Sequence, residues 1–194
     1  HAVRLAHVGT RLDPGGIGKG YALDRAAAVL RARGVDRALL NFGGQLLALG
    51  PPPHSTGWPV RVRNPRGEAP LATFDLARGS VATSADDERG LTIAGRRASH
   101  VVDPRSGLPS ARNRGVTVFS PSGEIADAWS TALFVMEPGE ALAAASREGL
   151  DALIVDAAGV GHANTPRFGA ASGVVQMEIS PSKSSETPKV ASRP

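Results

Sequence analysis

A glycine-rich stretch close to the start of the chain restricts its fold more than any other feature. Residues 13–24 read D-P-G-G-I-G-K-G-Y-A-L-D, and an apolar segment over residues 5–12, expected to be extended, precedes them. From Ile17 the apolar residues recur with helical spacing, which predicts a helix to about Arg33 with its apolar face at Ile17, Tyr21, Ala22, Ala26, Val29 and Leu30. Glycines at such a junction allow a ligand close to the backbone, and the free N–H groups of a first helical turn attract anions. With Lys19 as a mobile positive charge, the stretch predicts a cradle for a phosphate or pyrophosphate.

The stretch matches neither of two common phosphate-binding patterns. A P-loop requires G-x-x-x-x-G-K-[ST], whereas Lys19 is followed by Gly20 in place of the hydroxyl that binds metal. The dinucleotide pattern G-x-G-x-x-G is also absent from it. A turn that only packs a helix closely against a sheet would explain the same glycines, so both interpretations stay open for this stretch alone.

Composition favours a globular chain with a core of its own. Hydrophobic residues make up 41% and charged residues 21% of the 194 residues. We expect one ordered domain over residues 1–172 and a Ser/Pro/Lys-rich, mostly disordered tail over residues 173–194. The lack of cysteine excludes disulfides and thiolate chemistry, and the dispersed net charge of +4 argues against nucleic-acid binding. No apolar run is long enough to span a membrane, and the start at His1 indicates a fragment or a trimmed product.

Short strands outnumber helices along the rest of the chain. Helical spacing predicts two further helices at 124–136 and 139–148. Gly43-Gly44 predicts a hairpin turn, and the lack of regular strand–helix alternation predicts an α+β fold. Apolar runs bounded by Gly, Pro and polar residues predict strands at 36–42, 45–49, 58–62, 71–76, 79–84, 116–119 and 152–155, and a strand with a turn at 99–107.

Two groups of polar side chains are candidates for chemistry. Asp127 and Thr131 are four residues apart on one face of the predicted second helix, with Ser130 between them in the chain. Such hard oxygen ligands suit Mg²⁺, although a polar pair near a helix start is the commoner explanation. His100 precedes Asp103 by three residues, so its imidazole could act as a general base that the carboxylate orients. A half-buried, hydrogen-bonded histidine is the alternative, and these alternatives stay open.

Several separated blocks, in order along the chain, resemble one family, the ApbE flavin transferases (FAD:protein FMN transferases). The resemblance covers residues 10–160. The matching blocks are residues 13–24 (D-x-G-G-I-x-K-G-Y-x-x-D), 41–44 (N-x-G-G), 82–84 (A-T-S), 99–107 (S-H-x-x-D-P-x-[ST]-G) and 126–132 (A-D-A-x-S-T-A).

The resemblance implies an ApbE-like (T-fold-like) mixed sheet with packed helices, and an incomplete one. Family members carry on the order of a hundred further residues ahead of the glycine-rich block. Those residues contribute strands and part of the flavin pocket, so we expect apolar surface to be exposed where they would pack. Two departures from the family pattern are expected to weaken the hold on the flavin. Gln45 replaces the usual Asp, and Ala85-Asp86-Asp87 replaces a Gly-[DN]-Tyr sequence.

The activity that the resemblance implies is Mg²⁺-dependent transfer of FMN from FAD to a Thr or Ser hydroxyl of an acceptor protein, with release of AMP. By resemblance the protein is bacterial, and is either membrane-associated outside the cytoplasm or cytoplasmic. The implied residues are Asp127, Thr131 and the carbonyl of Gly16 at the metal, with Ser130 as an additional contact; Asp13, Lys19, Gly43, Gly44 and the backbone around Val101 at FAD; and His100 as the base for the attacking hydroxyl.

Two alternatives use the same residues. An FAD pyrophosphatase would direct water, in place of the acceptor hydroxyl, at the same bound dinucleotide. A non-catalytic FAD-binding fragment would hold it without turnover, because the missing half and the altered loop leave the site unfinished. Residues able to wall an isoalloxazine ring are also few, one Tyr, two Trp and five Phe, so FAD affinity is expected to be weak. The products distinguish the three, because only a transferase leaves flavin covalently bound to protein.

Overall fold

The structure is a computed structural model that describes residues 2–64, 69–85, 91–93, 96–168 and 175–177. In these ranges the helices are α1 (Gly18–Ala32), α2 (Gly123–Phe134) and α3 (Pro138–Arg147), with a short 3-10 helix at Pro166–Phe168. The strands are β1 (Ala38–Phe42), β2 (Gln45–Gly50), β3 (Trp58–Val62), β4 (Ala72–Leu76), β5 (Gly79–Ala85), β6 (Leu91–Ile93), β7 (Arg96–Ala98), β8 (Val102–Asp103), β9 (Leu108–Pro109), β10 (Asn113–Ser120), β11 (Asp151–Asp156), β12 (Gly161–Ala163) and β13 (Val175–Met177).

A seven-stranded sheet organises the fold, in the order β1-β2-β5-β10-β11-β12-β13. Neighbouring strands are antiparallel except β12 and β13, which are parallel. The remaining strands pair as three hairpins, β3–β4, β6–β7 and β8–β9. Helices and strands do not alternate regularly, so the predicted α+β class is confirmed.

The two faces of the sheet have different partners, as the alternation along β10 shows. Val116 and Val118 are fully buried with α2 and α3, which cover one face. Phe119 points the other way and packs with residues of the β3–β4 hairpin. Successive side chains of a strand face opposite sides, so one strand contributes to both cores.

Helices α1 and α2 touch backbone to backbone at two glycines. A Cβ atom added at Gly20 would lie 2.1 Å from the carbonyl oxygen of Gly123, and one added at Gly123 would lie 2.9 Å from the carbonyl oxygen of Gly20. Side chains at these positions would push the helices apart. The glycine-rich stretch therefore does pack a helix closely, against a second helix.

The predicted hairpin at Gly43-Gly44 and both later helices are confirmed, but the region around α1 differs from expectation. No strand precedes α1 in residues 2–17, where Val8 and Leu12 are exposed. The predicted apolar face of α1 is wrong in part, since Tyr21 and Val29 are exposed and the buried residues are Gly20, Leu23 and Ala27. Gly20 lies on the buried face because the backbone of α2 approaches α1 closely at this residue.

The structure describes only part of the predicted tail. Residues 175–177 form β13 within it, and the rest of 173–194 lies outside the described residues, as do Asp86 and Asp87. None of the helices in the described ranges has the length and apolar content needed to cross a bilayer.

Candidate functional site

A cavity of about 570 Å³ opens where the start of α1, the β1–β2 turn, the end of β5 and the segment before β8 meet. Thr83, Ser84 and Ala85 of β5 form part of its wall. The cavity also gathers seven of the predicted site residues from distant parts of the chain: Asp13, Gly16, Lys19, Gly43, His100, Val101 and Thr131.

The glycine-rich turn uses most of its backbone donors internally. The N–H of Gly15 donates to Oδ1 of Asp13 (2.8 Å), and the N–H groups of Ile17 and Gly18 donate to the carbonyl of Pro14 (3.0 and 2.7 Å). Among the described residues, no protein acceptor bonds to the N–H of Gly16 or Lys19. These two N–H groups remain as donors for an anion, which is a smaller cradle than the sequence predicts.

Lys19 and Asp127 join the turn to α2. The Lys19 Nζ lies 2.6 Å from Oδ1 of Asp127, and the N–H of Gly20 donates to Oδ2 over 3.0 Å. The Asp127 side chain is only 2% exposed, whereas that of Lys19 is 27% exposed and borders the cavity. A buried carboxylate needs such partners, since an unpaired buried charge costs several kcal/mol.

Two residues with no predicted role in the site position α2. The carboxylate of Asp24 accepts hydrogen bonds from the Ser122 hydroxyl and from the N–H groups of Gly123 and Glu124, at 2.8 to 3.0 Å. A negative charge is favourable at a helix N-terminus. Gln45 is buried, and its Nε2 donates to Ser80 Oγ (3.2 Å) and to the carbonyl of Gly123 (2.8 Å).

Gln45 therefore braces the start of α2 and does not line the cavity. The weaker hold on the flavin expected from Gln45 stays a prediction. Asp24 is the last residue of the glycine-rich block, and its place in that block is the sequence feature that could have predicted a role for it. No feature of the sequence predicts the contacts of Gln45.

Three hydroxyl groups lie together on the face of α2 that carries Asp127. Ser84 Oγ lies 3.3 Å from Thr131 Oγ1 and 2.9 Å from Ser130 Oγ. Ser130 is fully buried, donates to the carbonyl of Asp127 (2.9 Å) and does not line the cavity. A Cβ atom at Gly16 would lie 3.4 Å from Thr131 Oγ1, so the Gly16 backbone sits directly beside that hydroxyl. Ser84 lies in the A-T-S block, which carried no role at the level of sequence.

The predicted metal ligands pass a test of donor chemistry. Asp127, Thr131 and the Gly16 carbonyl offer one carboxylate, one hydroxyl and one backbone oxygen, all hard donors. The described residues contain no group of three or more His, Cys, Asp or Glu side chains placed to hold a metal ion. A single carboxylate suits Mg²⁺, which retains waters and shares its sphere with ligand phosphates. The residues fit the ion if the ammonium of Lys19 leaves Oδ1.

His100 and Val101 lie on the segment between β7 and β8. His100 is exposed, and among the described residues nothing hydrogen-bonds to its ring. The N–H of Val101 donates to Ser99 Oγ (3.1 Å), and its carbonyl accepts from the N–H of Ser110 (2.8 Å). Both polar backbone groups of Val101 are thus engaged, and its side chain packs against the core between β10, α2 and α3.

Asp103 does not orient His100, which corrects that expectation. Its oxygens accept hydrogen bonds from the Arg105 side chain, each at 3.0 Å, and from the Arg105 N–H at 2.9 Å. The hydrogen bond from the Arg105 side chain holds the pKa of Asp103 below its usual range. Arg105 also donates to the carbonyl of Val135, so Asp103 ties this segment to the end of α2.

The two glycines of the hairpin turn face different spaces. Gly43 and Gly44 have φ angles of 57° and 87°, which glycine adopts without strain, and the N–H of Gly44 donates to Oδ1 of Asn41 (3.1 Å). Gly43 lines the main cavity, whereas Gly44 lines a neighbouring pocket of about 160 Å³. Gly44 is the one predicted FAD contact that the structure places outside the main cavity.

The sequence and structure match proteins already known. The sequence profile of the ApbE family matches residues 1–154. Two curated proteins, each named FAD:protein FMN transferase, are similar: that of Escherichia coli K12 is 34% identical over 142 residues (72% of this chain, 40% of that protein), and that of Treponema pallidum is 35% identical over 168 residues (80% and 46%). The chain thus spans less than half the length of these relatives.

Solved structures give the same result for the fold. The ApbE protein of Thermotoga maritima superposes with a TM-score of 0.73 at 34% identity, covering 78% of this chain and 50% of that one. The apo flavinyl transferase ApbE of Pseudomonas stutzeri gives 0.71 at 34% identity, with 83% and 52% covered. The sheet, helices and cavity define an α+β protein that places a glycine-rich turn against a helix bearing a carboxylate and hydroxyls. The chain belongs to the ApbE family, as the sequence blocks predicted.

Proposed function

We propose that this chain carries the pyrophosphate- and metal-binding part of an FAD:protein FMN transferase. The reaction moves FMN from FAD to a Thr or Ser hydroxyl of an acceptor protein and releases AMP. The convergence of Lys19, Thr131 and His100 on one cavity, from three distant segments, is the observation that carries the proposal. The names of the relatives support the transfer of FMN from FAD to a protein.

This chemistry first requires neutralisation of charge, since the negative charge on a pyrophosphate is not stabilised by uncharged side chains. Lys19 and the free N–H groups of the turn would bind the non-bridging oxygens. Mg²⁺ held by Asp127, Thr131 and the Gly16 carbonyl would add Lewis-acid stabilisation at the same phosphates. Gly16, Lys19 and Thr131 line the cavity, and Asp127 contacts Lys19, which supports a shared role for these groups.

The transfer step then needs a base for the acceptor hydroxyl. The hydroxyl oxygen attacks the phosphorus of the FMN half and forms a new P–O bond. The bond from that phosphorus to the bridging oxygen breaks, and AMP leaves with the electron pair. The hydroxyl proton passes to His100, whose ring faces the cavity with no competing hydrogen bond among the described residues.

A direct test incubates the chain with FAD, Mg²⁺ and an acceptor protein that contains a Thr or Ser flavinylation site. We expect flavin bound covalently to the acceptor and one AMP per adduct, measured by mass spectrometry and chromatography. AMP with free FMN at the same rate, whether or not the acceptor is present, would make the chain a pyrophosphatase. Intact FAD retained on the chain would make it a binding module.

His100→Ala is expected to slow transfer by roughly 10²–10⁴-fold at saturating FAD, because general-base catalysis contributes that much. The affinity for FAD should not change, since the base acts on the acceptor. His7→Ala serves as the control, because His7 is also exposed but lies outside the cavity. An unchanged transfer rate in His100→Ala would refute the role as base, and a loss confined to FAD affinity would make His100 a binding residue.

FAD and ADP are expected to bind this chain with affinities within about threefold of each other. Among the described residues that line the main cavity there is no Phe, Tyr or Trp, so the isoalloxazine ring lacks a large aromatic side chain to stack on. Val102 in the cavity lining, and Ile17 and Phe42 next to lining residues in the chain, are exposed apolar side chains, which agrees with the expectation of open apolar surface. Flavin fluorescence and calorimetry measure the two affinities, and FAD binding far tighter than ADP would show that the flavin wall is already present.

A further inference from the structure

The positive charge paired with the Asp127 carboxylate is the ammonium of Lys19. Lys19 Nζ lies 2.6 Å from Oδ1, and the N–H of Gly20 donates a hydrogen bond to Oδ2. The carboxylate is 2% exposed, so water contributes little to its neutralisation. In the free chain, Lys19 is the counter-ion of Asp127.

An ammonium and a divalent cation exclude each other at this oxygen. Mg²⁺ binds carboxylate oxygens at about 2.1 Å, and an ammonium on the same oxygen would then stand within a few ångströms of the ion. Two positive charges at that separation in a buried setting repel strongly. A metal that takes Asp127 as a ligand must therefore displace Lys19.

The main cavity offers space for a second position of the Lys19 side chain. Its side chain is 27% exposed, and its Cδ passes 3.5 Å from where a Cβ atom of Gly43 would be, at the edge of the main cavity. The flexible, unbranched stem can swing its ammonium from Asp127 into that cavity. There the ammonium would meet the phosphates of a bound dinucleotide.

We propose that Lys19 is an exchangeable internal cation. It holds Asp127 in the free chain and moves to a pyrophosphate when a divalent metal takes the carboxylate, so that metal and dinucleotide favour each other's binding. The inference rests on the metal site of the proposed function, and adds that Lys19 weakens metal binding until the anion draws it away. Coupling of this kind is reciprocal between the two ligands.

Titration with Mn²⁺ alone, without nucleotide, tests the proposal by calorimetry. Lys19→Met and Lys19→Gln are expected to bind Mn²⁺ about 5- to 150-fold more tightly than the unmodified chain, the usual range for coupling between sites. Lys19→Gln retains a hydrogen-bond donor for Asp127 if the Met variant folds poorly. Arg25→Met is the matched control, since it removes one positive charge from an exposed position on the same helix, outside the cavity, and should leave Mn²⁺ affinity unchanged.

A second measurement is the Mn²⁺ affinity in the presence of ADP. In the unmodified chain ADP should raise Mn²⁺ affinity by a larger factor than in Lys19→Met, where only direct contact between the metal and the phosphates of ADP remains. Equal Mn²⁺ affinity in the unmodified chain and both Lys19 variants, with loss in Asp127→Asn, would overturn the exchange and leave the metal site intact. Folded protein that binds no Mn²⁺ in any of these variants would overturn the site and the exchange together. Tighter Mn²⁺ binding without flavin transfer would refute the proposed function and support the exchange.

Discussion

Gly20→Ala should destabilise this fold more than any other single methyl group added to α1. The new Cβ would lie 2.1 Å from the carbonyl oxygen and 2.5 Å from the carbonyl carbon of Gly123, and 2.8 Å from the Cα of Glu124. All three are backbone atoms of α2, so no side-chain rotation relieves the clash. The helices must separate, which strains the Gly20–Asp127 hydrogen bond as well. We expect a loss of at least about 3 kcal/mol in the free energy of unfolding, measured by chemical denaturation.

Two other helical glycines provide controls for the loss of backbone flexibility. Gly18 lies on the same helix, and a Cβ there would meet Pro14 at 3.5 Å, an ordinary contact. Gly139 lies on α3 with open space around its Cβ position. Alanine at Gly139 should stabilise the chain by up to about 1 kcal/mol, and alanine at Gly18 should be tolerated. A Gly20→Ala chain with a denaturation midpoint like that of Gly18→Ala would show that the helices do not pack as described.

Local signals account for the elements that the sequence predicts correctly. Gly43-Gly44 between two apolar runs requires positive φ angles, and the structure has them. Helix α2 follows from apolar spacing, and in the structure the Ser122 hydroxyl accepts a hydrogen bond from the N–H of Ile125 as an N-cap. Such features depend on neighbours within a few residues, so the sequence pattern alone is enough to predict them.

Contacts across the chain could not be predicted in the same way. Lys19 and Asp127 are 108 residues apart, and Asp24 caps α2 from 98 to 100 residues away. No periodicity specifies which buried carboxylate meets which cation. The family blocks placed these residues in one site, but the pairing of Lys19 with Asp127 and the engaged backbone of Val101 depend on packing. The mistaken apolar face of α1 has the same origin, since Gly20 carries no hydrophobic signal.

Asp127→Asn should abolish Mg²⁺-dependent chemistry while the chain stays folded. The amide keeps the shape of the carboxylate and one oxygen for the N–H of Gly20, but it removes the negative charge that both Lys19 and a metal require. Activity should fall at least about 10²-fold, the scale of losing one preorganised electrostatic group. Thr131→Val should weaken metal binding less, since a neutral hydroxyl is the poorer ligand. Calorimetry with Mg²⁺ and the transfer assay measure the two effects.

The fold should survive because Lys19 is partly exposed and can turn its ammonium to water once Asp127 is neutral. Glu124→Gln is the matched control, since it removes a carboxylate one turn earlier on α2, outside the cavity, and should change neither Mg²⁺ affinity nor transfer. If Asp127→Asn binds Mg²⁺ as tightly as the unmodified chain, Asp127 is not a ligand. If it unfolds while Glu124→Gln does not, the carboxylate serves the contact between α1 and α2. Loss of metal binding with an unchanged circular dichroism spectrum would show that Asp127 is a metal ligand and is not needed for folding.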